Sequence, residues 1–342
     1  MASAAWLSHK LSDGRIECEA CSQHCKLYEG EDGICGVRKV ENNELLLLTY
    51  GLAAAVNIDP IEKKPMFHFL PGSSVFSFGT VGCNFSCTFC QNADISQYSK
   101  EHHNRIVGQP LSPEDAVALA LQHGCKSIAY TYNEPVVFFE YTYDTARLAH
   151  AAGLKNIYVT SGYETHKAID TIEPYLDGMN IDIKAYSQSF YKDICGASLK
   201  PVLDTIEYAH KKGIWIETTT LLIPGLNDSD EEIRKIAAFQ ASIDPSMPWH
   251  ISAFHPTYKM TDRPRTPEST LRRAYEIGIE AGLKYVYVGN IDDRSRESTY
   301  CPTCHKLLIE RHGHIGQYVT NSLIHDNLCP YCATSIEGIW MF

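Results

Sequence analysis

No run of about 18 apolar residues occurs in this chain, so no membrane span is expected. The longest apolar stretch near the start, Leu45 to Leu48, is far too short. The opening MASAAWLSHKLSDGR lacks the apolar core of a secretory signal, which makes the cytoplasm the expected location. A basic excess is missing too: 30 lysines and arginines stand against 41 acids, a net charge of −11. Non-specific nucleic-acid binding usually needs the opposite balance, so a nucleic-acid partner is not expected. Low-complexity segments are absent, and no repeat exceeds a strand–helix alternation. What remains, 342 residues of which 44% are hydrophobic, suits a soluble globular enzyme with one large core or two domains.

Cysteine is the one residue in excess, and the grouping of the 13 decides its meaning. Cys18, Cys21, Cys25 and Cys35 form one set, Cys83, Cys87 and Cys90 a second, and Cys301, Cys304, Cys329 and Cys332 a third. Only Cys125 and Cys195 stand alone, and they read as core thiols. A large chain without an export signal is a poor candidate for a disulfide frame, so the clustered thiols imply metal.

Between the second and third sets, short runs rich in Val, Ile, Tyr and Thr alternate with helical segments. The strand candidates are 75–79, 127–132, 156–160, 178–183, 214–222, 249–254 and 285–288. They are apolar on both faces, as buried parallel strands are. One helix begins at Ser112-Pro113-Glu114-Asp115, a cap followed by Pro and first-turn acids. Another spans roughly 266–282, with Thr266 as cap and Gly282 as stop. Repeated units of this kind imply a parallel α/β sheet, either doubly wound or a barrel. In both, the C-terminal ends of strands line the active site. That rule selects Asn133 and Glu134, Ser161, Asp182 and Lys184, and His255. Residues 1–70 and 294–342 read as small modules appended to a core over 71–293.

The middle cysteine set, in TVGCNFSCTFCQN, follows the first core strand directly. Three thiolates can hold three irons of a cubane [4Fe–4S] cluster, and an open fourth metal position is what allows chemistry there. This C-x3-C-x2-C loop, with Phe89 before the last cysteine, resembles the radical S-adenosylmethionine superfamily. The resemblance implies a partial (β/α)6 TIM-like barrel. It also implies an open iron that chelates the methionine moiety of S-adenosylmethionine, and one-electron cleavage to a 5′-deoxyadenosyl radical that abstracts hydrogen. The superfamily's Gly-Gly-Glu motif on the second strand is matched by Tyr132-Asn133-Glu134, which lacks both glycines. Asp182-Ile183-Lys184 is similar to the Asp-x-Lys of the pyruvate formate-lyase activating enzymes, where the Lys approaches the cofactor's carboxylate. Strand alternation puts Asp182 and Lys184 on one face. Ser161 and His255 occupy cofactor-contacting places of the same group.

The N-terminal set reads C-x2-C-x3-C-x9-C, which suits tetrahedral zinc, the first expectation, or an auxiliary iron–sulfur cluster. Arg38 follows it and can balance thiolate charge. Cys301-Pro-Thr-Cys304 and Cys329-Pro-Tyr-Cys332 are paired knuckles of a zinc-ribbon or rubredoxin-like kind, for zinc first and iron second. The nearby His305, His312, His314 and His325 read as surface residues. About four irons and two zincs per chain are therefore expected.

Over residues 15–340 the motifs Asp59-Pro60-Ile61-Glu62-Lys63-Lys64-Pro65, His68-Phe69-x-Pro71-Gly72, Leu222-Ile223-Pro224-Gly225-Leu226-Asn227-Asp228 and His250-x-x-x-Phe254-His255-Pro256 flank the cysteine loop in order. With both outer modules, this resembles the radical enzyme family of the AmmeMemoRadiSam system. That resemblance implies hydrogen abstraction from a protein or peptide partner, with modification of a small metabolite or nucleic acid as the alternative. It also implies a low-potential electron donor of flavodoxin or ferredoxin type, and association with Memo-like and AMMECR-like proteins.

Overall fold

The computed structural model describes residues 2–313 and 318–340, and His314 lies outside the described residues. One eight-stranded sheet organises the chain. In sequence order its strands are β1 (Ala55–Pro60), β2 (Ser74–Gly79), β3 (Ser127–Tyr130), β4 (Lys155–Thr160), β5 (Gly178–Asp182), β6 (Trp215–Leu222), β7 (Trp249–Ala253) and β8 (Val286–Gly289). Each pairs with its sequence neighbour, so the spatial order never reverses. β2 to β8 are all parallel, and β1 runs antiparallel to β2.

Six helices make the crossovers: α1 (Pro113–Gln122), α2 (Phe139–Ala151), α3 (His166–Ile172), α4 (Leu199–Lys211), α5 (Asp230–Ile243) and α6 (Glu268–Glu280). A sheet wound in one direction with right-handed crossovers keeps its helices on one face and curls into a barrel arc, which settles the choice against double winding. Six strand–helix units and a seventh parallel strand result. β1 and β8 are not paired with each other, so the arc is open along one side.

Local chemistry explains most boundaries. Ser112, Thr165 and Ser229 each accept a backbone N–H at the start of α1, α3 and α5. At α6 the expected cap fails, because Pro267 takes that place. Thr266 instead accepts Phe254 N at 2.8 Å and donates to Leu222 O at 2.6 Å, tying β6 to β7. Gly282, at φ +95°, ends the helical region as expected. β3 stops at Tyr130, two residues short of expectation, because Tyr132 takes φ +73°.

The two small modules sit at different places on the sheet. Residues of the N-terminal one, including Cys18, Cys21 and Cys35, belong to the same hydrophobic core as the barrel helices. Arg38 is buried within it, pairing with Glu140 at 2.6 Å and donating to Val137 O at 3.0 Å on the barrel side. The C-terminal module, with antiparallel strands Thr299–Tyr300, Leu307–His312 and Tyr318–Ser322, has its own core around Phe67, Tyr285, Tyr287 and Trp340. It covers the N-terminal ends of the strands. There the buried Glu217 accepts Phe67 N (2.9 Å), His68 N (2.8 Å) and His250 Nε2 (2.7 Å). Arg311, fully buried, donates to Phe67 O (2.6 Å) and to Thr299 Oγ1 (2.8 Å).

Candidate active site

At the opposite, C-terminal ends of the strands lies a cleft of about 400 Å³. Its wall on the β2 side is the cysteine loop. Gly82 takes φ +91° there, and a Cβ on it would lie 2.4 Å from Val37 Cγ1 and 2.7 Å from Cys35 O, so only glycine fits. The loop is then pinned by backbone bonds, Ser86 N to Cys195 O (2.8 Å) and Thr88 N to Ile194 O (3.1 Å). Lys100 Nζ donates to Phe85 O at 2.6 Å. Cys83, Cys87, Cys90 and Phe89 all line the cleft, and no other cysteine does. Cys195 is fully buried and its thiol is hydrogen-bonded to that of Cys87, away from the cleft.

The other walls come from strand ends. Asn133, Ser161, Asp182 and Lys184 line the cleft as the sequence suggests. Asn133 Nδ2 donates to Gly82 O (2.8 Å) and Thr80 Oγ1 (3.2 Å), while its buried Oδ1 has no partner among the described residues. Lys184 Nζ lies 2.7 Å from Asp182 Oδ2 and 6.0 Å from the centre of the Phe89 ring. Burial opposes the charge on Lys184, but Asp182 and the thiols of Cys87 and Cys195 hold its pKa well above the ordinary value.

Tyr132 takes a left-handed turn that usually calls for glycine. A non-glycine residue at φ +73° costs about 1 kcal/mol or more. Its hydroxyl donates to Asp59 Oδ2 (3.0 Å), and Lys64 Nζ sits 4.5 Å from its ring centre. Asp59 in turn pairs with Lys64 (2.7 Å) and Lys63 (2.9 Å). Although burial works against its charge, these cations and the Tyr132 hydroxyl hold Asp59 down at about 2. The Asp-Pro-Ile-Glu-Lys-Lys motif thus braces the strand turn.

Glu134 does not line the cleft. Its carboxylate accepts Ser161 N (2.8 Å) and contacts Thr160 Oγ1 (2.5 Å), which also contacts Glu164 Oε1 (2.7 Å). Thr160 has one proton to donate, and its Oγ1 already accepts Gly162 N at 3.0 Å. Two short carboxyl contacts therefore require that one carboxyl be protonated. Burial raises both acids, and the charge of Glu164 adds to the rise at Glu134, giving about 8 for Glu134 and about 7 for Glu164. The folded protein holds a proton here that an unfolded chain releases above about pH 4.3. This contribution to stability is complete below that pH and is lost as pH rises towards 8. Glu164→Gln should flatten the fall of melting temperature between about pH 5 and 8; an unchanged slope in thermal melts would contradict the shared proton.

His255 is exposed and does not line the cleft. β7 ends at Ala253, and the bond from Phe254 N to Thr266 buries Phe254 and turns the next residue outward. Ser252 and Asn290 occupy that side instead, with Thr219, Lys64 and Tyr132 as further cleft residues the sequence reading passed over. Two-residue alternation along β6 and β7 carried a signal for Thr219 and Ser252. Asn290, at φ +62° just beyond β8, carried none.

The two outer cysteine sets differ in geometry. Cys301 and Cys332 bring their sulfurs to 3.5 Å, Cys304 and Cys329 to 3.7 Å, and all four lie within 4.8 Å of one another. Among the described residues this is the one such group of thiol, imidazole or carboxylate donors. A tetrahedral zinc with Zn–S bonds of about 2.3 Å needs sulfurs roughly 3.7 Å apart, so this set fits it. Cys18, Cys21, Cys25 and Cys35 instead border a gap between themselves.

Residues 78–237 match the family model of the radical SAM superfamily. The chain is 41% identical over 334 residues to an uncharacterized protein of Methanocaldococcus jannaschii, MJ0808, covering 97% of this chain and 98% of that one. It is 27% identical over 205 residues to a putative glycyl-radical enzyme activating enzyme of the same organism, MJ1632, across 59% of this chain and 75% of the relative. Among solved structures, a radical SAM methyltransferase from Sphaerobacter thermophilus superposes with a TM-score of 0.51 at 18% identity, over 64% of this chain and 67% of that one. That likeness concerns the fold.

Proposed function

Because the chain belongs to the radical SAM superfamily, we propose that its cleft abstracts hydrogen from a protein or peptide partner, as an activase does. The observation that carries the reading is the donor set of the cleft: three thiols on one wall, no fourth, and opposite them Asn133, Ser161, Asp182 and Lys184. A [4Fe–4S] cluster and S-adenosylmethionine fit these residues, the cluster on Cys83, Cys87 and Cys90. When bound, they supply a 5′-deoxyadenosyl radical by one-electron cleavage of the sulfonium bond.

The chain's own residues hold and orient. The unpartnered Asn133 Oδ1 is an acceptor for the ammonium of the cofactor's methionine. Lys184, steadied by Asp182, offers its cation to the carboxylate. Glu134 acts one layer back, fixing the Ser161 backbone at the cleft wall. Two features favour a macromolecular substrate. The arc is open between β1 and β8, and β1 presents an edge on which Val56 and Ile58 are exposed, so an extended peptide can reach the cleft along a strand that accepts pairing. The relative named as an activating enzyme points the same way. Within the superfamily we place the chain in the AmmeMemoRadiSam system, with Memo-like and AMMECR-like proteins as candidate partners and a flavodoxin- or ferredoxin-type donor. A small metabolite or nucleic acid is the alternative substrate class.

The decisive experiment reconstitutes the protein anaerobically, adds S-adenosylmethionine and dithionite, and measures 5′-deoxyadenosine. None formed with an intact cluster would refute the enzyme reading. A glycyl radical on an added protein partner, seen by paramagnetic resonance, supports activation; deuterium passing from a labelled metabolite into 5′-deoxyadenosine favours the alternative. Lys184→Ala should raise the KM for S-adenosylmethionine by about 5-fold, since a partly exposed charge contact is worth up to about 1 kcal/mol. The rate at saturation should change less.

A further inference from the structure

We propose that Cys18, Cys21, Cys25 and Cys35 ligate a second [4Fe–4S] cluster, placed directly behind the radical loop and in electron-transfer contact with it through Asn84.

The spacing of the sulfurs is the first observation. This chain carries its own standard for a zinc-like set, the C-terminal knuckles, with sulfur pairs at 3.5 and 3.7 Å. The N-terminal thiols do not gather that way: among the described residues, no three of them lie within 4.8 Å of one another. In this they behave like Cys83, Cys87 and Cys90. A single zinc at about 2.3 Å from each sulfur cannot leave its ligands so far apart. A cube of four irons and four sulfides, which must fit inside its thiolates, requires it.

The second observation is the space itself. The four cysteines border a cavity of about 10 Å³, where sulfurs closed on a single zinc would leave none, and Ala20, Leu27, Ile34, Val136 and Val137 make up much of the rest of its wall. Beyond the thiols, most of the wall is aliphatic and offers water few partners. All four cysteines are free thiols, so no disulfide accounts for the set. Arg38 also lines the gap, and its buried cation offsets thiolate charge while paired with Glu140. Asn84, 1% exposed, lines it too, its side-chain amide beside the Cys21 thiol and with no hydrogen bond of normal geometry from its Nδ2 among the described residues. A cluster's sulfides would accept that donor.

Asn84 also supplies the connection, which rests on the reading of Cys83 as a ligand. It lines the gap, while its neighbour Cys83 lines the cleft with its Sγ 3.8 Å from Asn84 Oδ1. Gly82 packs against the Cys35 backbone on the same side. An electron arriving from a one-electron carrier protein would leave the carrier oxidised by one and the radical cluster reduced by one, with no proton moved. The C-terminal set, at the far end of the strands, is not on this route.

The test is the variant Cys83→Ala/Cys87→Ala/Cys90→Ala, reconstituted anaerobically with iron and sulfide and analysed for metal, acid-labile sulfide and Mössbauer spectrum. Its N-terminal module is untouched. About four irons and four sulfides with one zinc per chain are expected, against about eight irons and one zinc in the unaltered protein. Two zincs and no iron in the variant, or only two irons, would overturn the proposal. The contact is read separately: the reduced unaltered protein should show spin coupling between two clusters by paramagnetic resonance, absent from the variant. Two uncoupled signals would overturn the connection. If the unaltered protein forms no 5′-deoxyadenosine while the variant keeps its four irons, the site stands and the activase reading fails.

Discussion

Cys87→Ala should yield no 5′-deoxyadenosine above background while leaving fold and zinc content unchanged. Cys87 sits in the middle of the loop, buried at the cleft wall. Its removal leaves two thiolates for a cluster that needs three to be held with one iron open. The nearest replacement is the Cys195 thiol, but it comes from the turn behind the loop, is fully buried and does not reach the cleft. No other cysteine borders the site, so no ligand swap should rescue the variant. Circular dichroism and zinc analysis check that the loss is local.

Cys304→Ser should fail in a different way. Structural zinc in small modules is worth about 10–16 kcal/mol, as much as the whole stability of a typical domain. Losing one of four closely gathered thiolates should release the metal, unfold residues 294–340 and bare Phe67, Tyr285 and Tyr287 on the floor of the barrel. Melting should begin at least about 5 °C lower, and limited proteolysis should cut near residue 293 before it touches the core. The iron content of the cleft should persist. If both variants lost the same metal together, the division between a reactive and a structural site would be wrong.

The parallel strands were legible because buried β-branched runs between capped helices have few other solutions. β1 was not, since Asn57, Asp59 and Pro60 are poor strand formers and only pairing with β2 makes Ala55–Pro60 extended. The cleft wall read well wherever a residue's place followed from a strand end, as with Ser161, Asp182 and Lys184. It read poorly where a tertiary bond redirects the chain. His255 is turned out by Thr266, and Glu134 is drawn inward by the Ser161 backbone and Thr160. Cysteine spacing marked out three sets of thiols but not the separation of their sulfurs, which depends on how the barrel holds the loops apart.

The floor of the barrel has a bearing on how the protein is made. Phe67 and His68 donate their N–H groups to Glu217, yet the same segment is closed over by Arg311, Glu337 and Trp340, near the end of the chain. Strands synthesised earlier therefore wait for residues 311 to 340 before their buried charges are covered.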